Sequence, residues 1–242
     1  LGGEAVPQDF DVAYTEPSQV TEDHFSPDDF FYFEILGENY HTEPIIGFAW
    51  GNDKQIYAST DTDLLKSEAF QAVFSKAVNI YDFKRSKVLL SHLGIDLPTA
   101  NFDARLAKYL LSTVEDNELS TIARLYTDLP LETDEVVYGK GAKRAVPEKD
   151  VLLSHLAKKV LQVAKPVMLE KLAEHGQSEL LFDMELPLAN VLAKMEIAGI
   201  KVKGQTLNEM AVENQVVIDK LTQEIYEMAG EEFNINSPKQ LG

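Results

Sequence analysis

The chain contains no cysteine, which excludes disulfides, thiolate metal sites and cysteine catalysis and fits a reducing, cytoplasmic setting. No apolar run approaches the roughly 18 residues needed to cross a bilayer, so no membrane partner is expected. The first residues, LGGEAVPQDF, lack a basic region followed by an apolar core and do not read as a signal peptide. Basic residues are scarce: 22 Lys and Arg stand against 40 Asp and Glu, a net charge of −18. A surface that acidic repels phosphate backbones, so weak or no DNA binding is expected of this chain by itself. Motifs of common chemistries are missing as well. There is no GxxxxGK[ST] loop, no GxSxG elbow, and no metal spacing among the five histidines.

What is present is 242 residues with ordinary hydrophobic content, 45%, enough for one large domain or for one domain and part of another. Its most informative stretch is Phe30–Leu36, FFYFEIL, an apolar run of strand length holding one carboxylate. Alternation puts Tyr32, Glu34 and Leu36 on one face and Phe31, Phe33 and Ile35 on the other. Pro44–Gly51 and Gln55–Ser59 complete an antiparallel three-strand meander. Leu64–Ala77 has helical spacing, Val78–Tyr81 reads as a short strand, and Phe83–Leu93 as a helix stopped by Gly94. From Asp103 onward helix signals dominate, with apolar faces at Leu106, Leu110 and Leu111 and at Leu119, Ile122, Ala123 and Tyr126. A loop over Tyr138–Val146 precedes a long helix over Glu148–Ala173, with a kink predicted at Pro166.

Beyond Gly176 the spacing predicts an apolar helix over Glu179–Ala198, a short strand over Ile200–Val202, and an amphipathic helix over Thr206–Ala229 ended by Gly230. The stripe of that last helix (Leu207, Met210, Val217, Leu221, Ile225, Met228) is expected to be exposed or buried in a dimer. Ser237-Pro238 announces one more helix, so the chain reads as a truncated protein.

Three upstream segments, ENYHTEPIIGFA (Glu38–Ala49), FDARLAKYLL (Phe102–Leu111) and VYGKGAKRAVP (Val137–Pro147), resemble the 3′–5′ exonuclease-like domain of the bacterial DNA polymerase I family, in its Gram-positive form. ELPLANVLAKMEIAGIKV (Glu185–Val202) and AGEEFNINSPKQLG (Ala229–Gly242) resemble the entry to that family's polymerase domain. The resemblance implies an α/β fold, a ribonuclease H-like mixed β-sheet flanked by helices, over residues 1–177. It implies that 178–242 is the helical start of a polymerase domain without palm, fingers and most of the thumb.

Proofreading members hold two divalent metals among four carboxylates. The resemblance puts Tyr32 and Glu34 at the first pair, Ser86 at the third acid, and His155 and Lys159 at a final Tyr-x-x-x-Asp. One acid of four is left. A lysine charge about 4 Å from a dication costs on the order of 8 kcal/mol even at an effective dielectric of about 20. Neither a serine hydroxyl nor a neutral tyrosine replaces a carboxylate as a hard-metal ligand. No catalytic residue, bound metal or cofactor is therefore expected here, Mg2+ belonging to the polymerase part of the parent enzyme. Glu34 is read as a relic paired with Lys159. Lys140, Lys143 and Arg144 are candidate phosphate contacts or simply solvated cations, and Asp82 and Asp103 are read as helix caps. The implied role is a structural scaffold within an enzyme that meets DNA through its polymerase domain. The rival readings are an active proofreading exonuclease with a rearranged site, using Glu34 or Asp82, and a protein-docking module.

Overall fold

The FFYFE run becomes the middle of the molecule because every one of its residues is buried on one face of a sheet or the other. The computed structural model describes residues 12–241; the opening stretch read as lacking a leader lies outside them. Strands β1 (Phe30–Glu34), β2 (Gly47–Gly51) and β3 (Ile56–Ser59) form the expected antiparallel meander. On the other side of β1, β4 (Val78–Ile80) and β5 (Ala100–Asp103) pair in parallel, giving a mixed sheet in the order β3-β2-β1-β4-β5.

The face carrying Phe31 and Phe33 packs its rings with Phe48 and Trp50 against α1 (Glu68–Phe74), whose Phe70 and Phe74 meet them edge-on. The opposite face, with Tyr32 and Glu34, looks toward α2 (Phe83–Ser91) and α6 (Lys149–Lys158). Gly47, the partner of Glu34 across the ladder, leaves room for α6: a Cβ would meet Leu156 Cδ1 at 2.7 Å, so that leucine would have to shift. The helix therefore comes down close beside Glu34.

Between these elements run α3 (Ala104–Leu111), α4 (Leu119–Tyr126) and α5 (Asp134–Tyr138), and α7 (Ala164–Glu174) follows α6. Two elements were not foreseen and two expectations are corrected. Strand β5 was not foreseen, because ANFD is too short and too polar to register as an apolar run. Helix α5 was not foreseen either, in a stretch before the Tyr138–Val146 loop that carries no apolar periodicity. The single kinked helix over 148–173 is two helices, interrupted at 159–163. Pro166 sits in the first turn of α7, where its missing N–H forfeits no bond. Finally, Ile200–Val202 is not a strand; these residues have no ladder partner among the described residues, and Ile200 is 91% exposed.

The predicted helix over 179–198 opens as a wide π-type turn, Leu180–Glu185, that continues into α8 (Leu186–Ala198). Pro187, lacking an N–H, cannot close the regular pattern at that point. Helix α8 packs on α2.

The chain divides into two compact units, one ending at Ala198 and the other beginning at Gly199. The second contains α9 (Gly204–Ala229), ended by Gly230 at φ 78°, and the short α10 (Pro238–Leu241). No residue of α9 is buried, and Leu207, Met210, Val217 and Leu221 are each about half exposed.

Candidate nuclease-like site

Glu34 ends β1 with its side chain on the face away from the aromatic layer, and it is buried. A lone buried carboxylate demands partners, and four groups supply them. Tyr32, two residues back on the same face, donates its hydroxyl to Oε1 at 3.0 Å, and the Ile35 amide donates to the same oxygen at 3.1 Å. Tyr138, at the last turn of α5, donates to Oε2 at 2.8 Å. Lys159, the residue that ends α6, forms a buried salt bridge with Oε2. The Arg85 guanidinium of α2 stands 3.8 Å from Oε1.

Lys159 is shared. Its Nζ also lies 2.6 Å from Asp134 Oδ1 and sits over the rings of Tyr32 and Tyr138, 4.8 and 5.5 Å from their centroids. His155, one turn earlier on α6, places Nε2 3.1 Å from the same Asp134 oxygen. Burial pushes the Asp134 carboxyl up, but the His155 hydrogen bond and the Lys159 charge more than offset it and hold it well below the usual carboxylate range. Burial alone would pull the Lys159 ammonium down; the Glu34 and Asp134 carboxylates reverse this and raise it. The Tyr32 hydroxyl is pushed well up by burial and by the Glu34 charge, so it stays a neutral donor at any ordinary pH.

Of these groups, Tyr32, Glu34, Arg85, Asp134 and Lys159 line a cleft of about 690 Å³ whose lining also includes Asp82, Arg105 and Arg144. A second pair of acids lies close by, of which Asp82 lines the cleft. Asp82, at φ 54°, caps α2 through the Arg85 amide (3.1 Å) and accepts from Arg105 at 2.7 Å. Asp103 caps α3 and also accepts from the amides of Asp82 and Phe83 at 3.1 and 2.7 Å. Burial and the Asp82 charge push its carboxyl up to about 6, against the pull of those amides.

The model of the family described as "DNA polymerase I, ribonuclease H-like domain" matches residues 31–165, a span that runs from β1 into the first turn of α7. The chain belongs to that family. Within it, the DNA polymerase I of Streptococcus pneumoniae R6 is 57% identical over 232 residues, covering 95% of this chain and 26% of the relative. The chain thus spans about a quarter of the length of the curated relatives it matches. Two solved structures support the ribonuclease H-like fold. The "POL domain of Pol1 from M. smegmatis complex with DNA primer-template and dNTP" has 22% identity and a TM-score of 0.61, over 88% of this chain and 35% of that one. Brucella melitensis NrnC has 17% identity and a TM-score of 0.59, over 77% and 94%.

Of the positions that family resemblance singled out, Tyr32, Glu34, His155 and Lys159 converge on one cluster with Asp134. Ser86 does not join them: it is buried, and its hydroxyl donates to the Tyr81 carbonyl at 3.3 Å. The three loop cations part company. Arg144 lines the cleft over the Tyr138 ring, Lys140 pairs with Glu135 at 3.1 Å on the surface, and Lys143 is exposed. Asp134, Tyr138 and Arg85 were not singled out. The only signal available for the first two was their spacing of four, one helical turn, in a segment too short to read as a helix. Among the described residues no helix is long and apolar enough to cross a membrane.

Proposed function

We propose that the chain is the 3′–5′ exonuclease-like domain of a DNA polymerase I (residues 1–177) joined to the start of its polymerase domain (178–242). In this reading the nuclease site no longer cuts DNA. The whole enzyme would synthesise DNA in replication and repair in the cytoplasm, with Mg2+ at its polymerase centre, and this part would buttress that machinery.

The observation that carries the silent-site reading is the Lys159 ammonium on Glu34 and Asp134. Two adjacent dications need several carboxylates without cations of their own. The two carboxylates here sum to −2, and Lys159 and the nearby Arg85 already offset that charge, so the residues present do not fit a metal pair. No step through metal ions is therefore assigned to the site. The rival, a rearranged active site, draws on Asp82, a second acid lining the same cleft, although Arg105 already pairs with it.

The test is incubation of the chain with end-labelled single-stranded DNA and Mg2+ or Mn2+. No shortening of the label is expected, and cleavage that disappears with Glu34→Ala would overturn the reading. The half-exposed stripe of α9 supports association through that helix in the isolated chain, either as a dimer or, in the whole enzyme, against the rest of the polymerase domain.

A further inference from the structure

Glu34, Asp134 and His155 each offer one ligand atom, and the three atoms lie within 4.8 Å of one another. They come from β1, α5 and α6, so the fold and not a local loop brings them together. Two carboxylate oxygens and one imidazole nitrogen suit a single Zn2+, Co2+ or Mn2+, and their charge of −2, part of which Arg85 already offsets, leaves no room for a second dication. What stands among them is Lys159 Nζ, bonded to Glu34 Oε2 and 2.6 Å from Asp134 Oδ1.

We infer that Glu34, Asp134 and His155 form a latent site for one transition-metal ion, kept closed by the chain's own Lys159 ammonium. The inference rests on the reading of this cleft as a nuclease site without its metals, and it adds a different ligand set and a named gate. Three features support it. Both carboxylates already converge on one cationic atom, so a metal in its place would draw them in by only about half an ångström, from hydrogen-bond to coordination distance. The phenols of Tyr32 and Tyr138 fix the orientation of Glu34 from behind, the support that ligating carboxylates usually receive. His155 is buried with Nε2 3.1 Å from Asp134 Oδ1; moving the ring proton to Nδ1 frees Nε2 to ligate, at the cost of the hydrogen bond to Asp134 and of a buried N–H with no acceptor among the described residues.

The experiment uses the full 242-residue chain and the variant Lys159→Met, which keeps the apolar stem and removes the charge. Both are titrated with Co2+, followed by visible absorption and calorimetry, and their melting is recorded with and without Zn2+. Lys159→Met should take up one Co2+ per chain at least about 100-fold more tightly than the unaltered chain, since ammonium–dication repulsion exceeds that factor at an effective dielectric of about 20. The added affinity should vanish in Lys159→Met/His155→Gln, and Zn2+ should raise the melting temperature of Lys159→Met alone.

A folded Lys159→Met that binds no Co2+, or an unaltered chain that binds it as tightly, overturns the inference. So does a failure of both Lys159→Met and Lys159→Gln to fold even with Zn2+, because a dication in the ammonium's place should hold the same carboxylates. DNA cleavage by the unaltered chain would strike the silent-nuclease reading instead, so the two failures are distinguishable.

Discussion

Two pairs of acids stand at or beside one cleft, which Glu34, Asp134 and Asp82 line and Asp103 does not, and they are held in opposite ways. Glu34 and Asp134 are held by side chains from distant elements: a lysine 125 residues away in sequence and a tyrosine 104 away. Asp82 and Asp103 are held mainly by backbone amides, some within three residues and two from the start of α2, 20 and 21 residues from Asp103, with a single half-exposed arginine added. The first pair depends on full charges meeting in a buried place; the second depends on helix ends that offer N–H groups whatever the side chains are. The same residue type thus serves as a counterion in one corner and as a cap in the other, and each corner should fail in its own way.

The largest effect is expected where charge matters most. Lys159→Met leaves Glu34 buried without its cation, and breaking such a pair typically costs about 3–5 kcal/mol, read by urea unfolding at pH 7. Adding Glu34→Gln removes the stranded charge, so the double variant should be at least about 1 kcal/mol more stable than Lys159→Met alone. If the two losses simply add within about 0.5 kcal/mol, the corner is not organised around this pair.

Acid titration sharpens the contrast because the two corners respond with opposite sign. The Asp134 carboxyl is depressed in the folded chain, so its contribution is present above the ordinary carboxyl value and is lost as pH falls below about 4. The Asp103 carboxyl is raised to about 6, so its contribution is greatest when protonated and is lost as pH rises through that value. Asp134→Asn should cost about 1–2 kcal/mol at pH 7, less than Lys159→Met because a third of the Asp134 side chain stays in water (34%). It should also flatten the fall in stability below pH about 4, as followed by thermal melts from pH 3 to 7. An unchanged acid limb would remove Asp134 from the account.

The same contrast explains what the sequence made legible. The caps at Asp82 and Asp103 could be read because capping is local: an acid stands directly before a helical run. The meander could be read because its strands are apolar and close in sequence. Strand β5 could not, since four residues of mixed polarity become a strand only by pairing with β4. At the Glu34 corner the residues alone announced an odd buried acid, and only resemblance to a family brought Lys159 beside it. Asp134 and Tyr138 stayed invisible because nothing near them in sequence shows that α5 folds back onto β1. The break at 159–163 was hidden by Pro166, which looked like its cause and lies just past it.

The smallest expected effect tests the capped corner. Asp82 has a left-handed backbone, φ 54°, which asparagine tolerates about as well as aspartate. Asp82→Asn keeps an oxygen for the Arg85 amide and loses only the charge that Arg105 meets, in a pair whose arginine side chain is 46% exposed. Exposed pairs are worth little. Removing the Asp82 charge also relieves the neighbouring Asp103, whose carboxyl that charge helps to raise. The two consequences oppose each other, so the net change at pH 7 should stay within about 0.5 kcal/mol, while the midpoint assigned to Asp103 by carboxyl NMR titration should fall below about 6. A loss of several kcal/mol on this substitution would mean that the capped corner is charge-locked like the Glu34 corner, and the distinction between the two pairs would go.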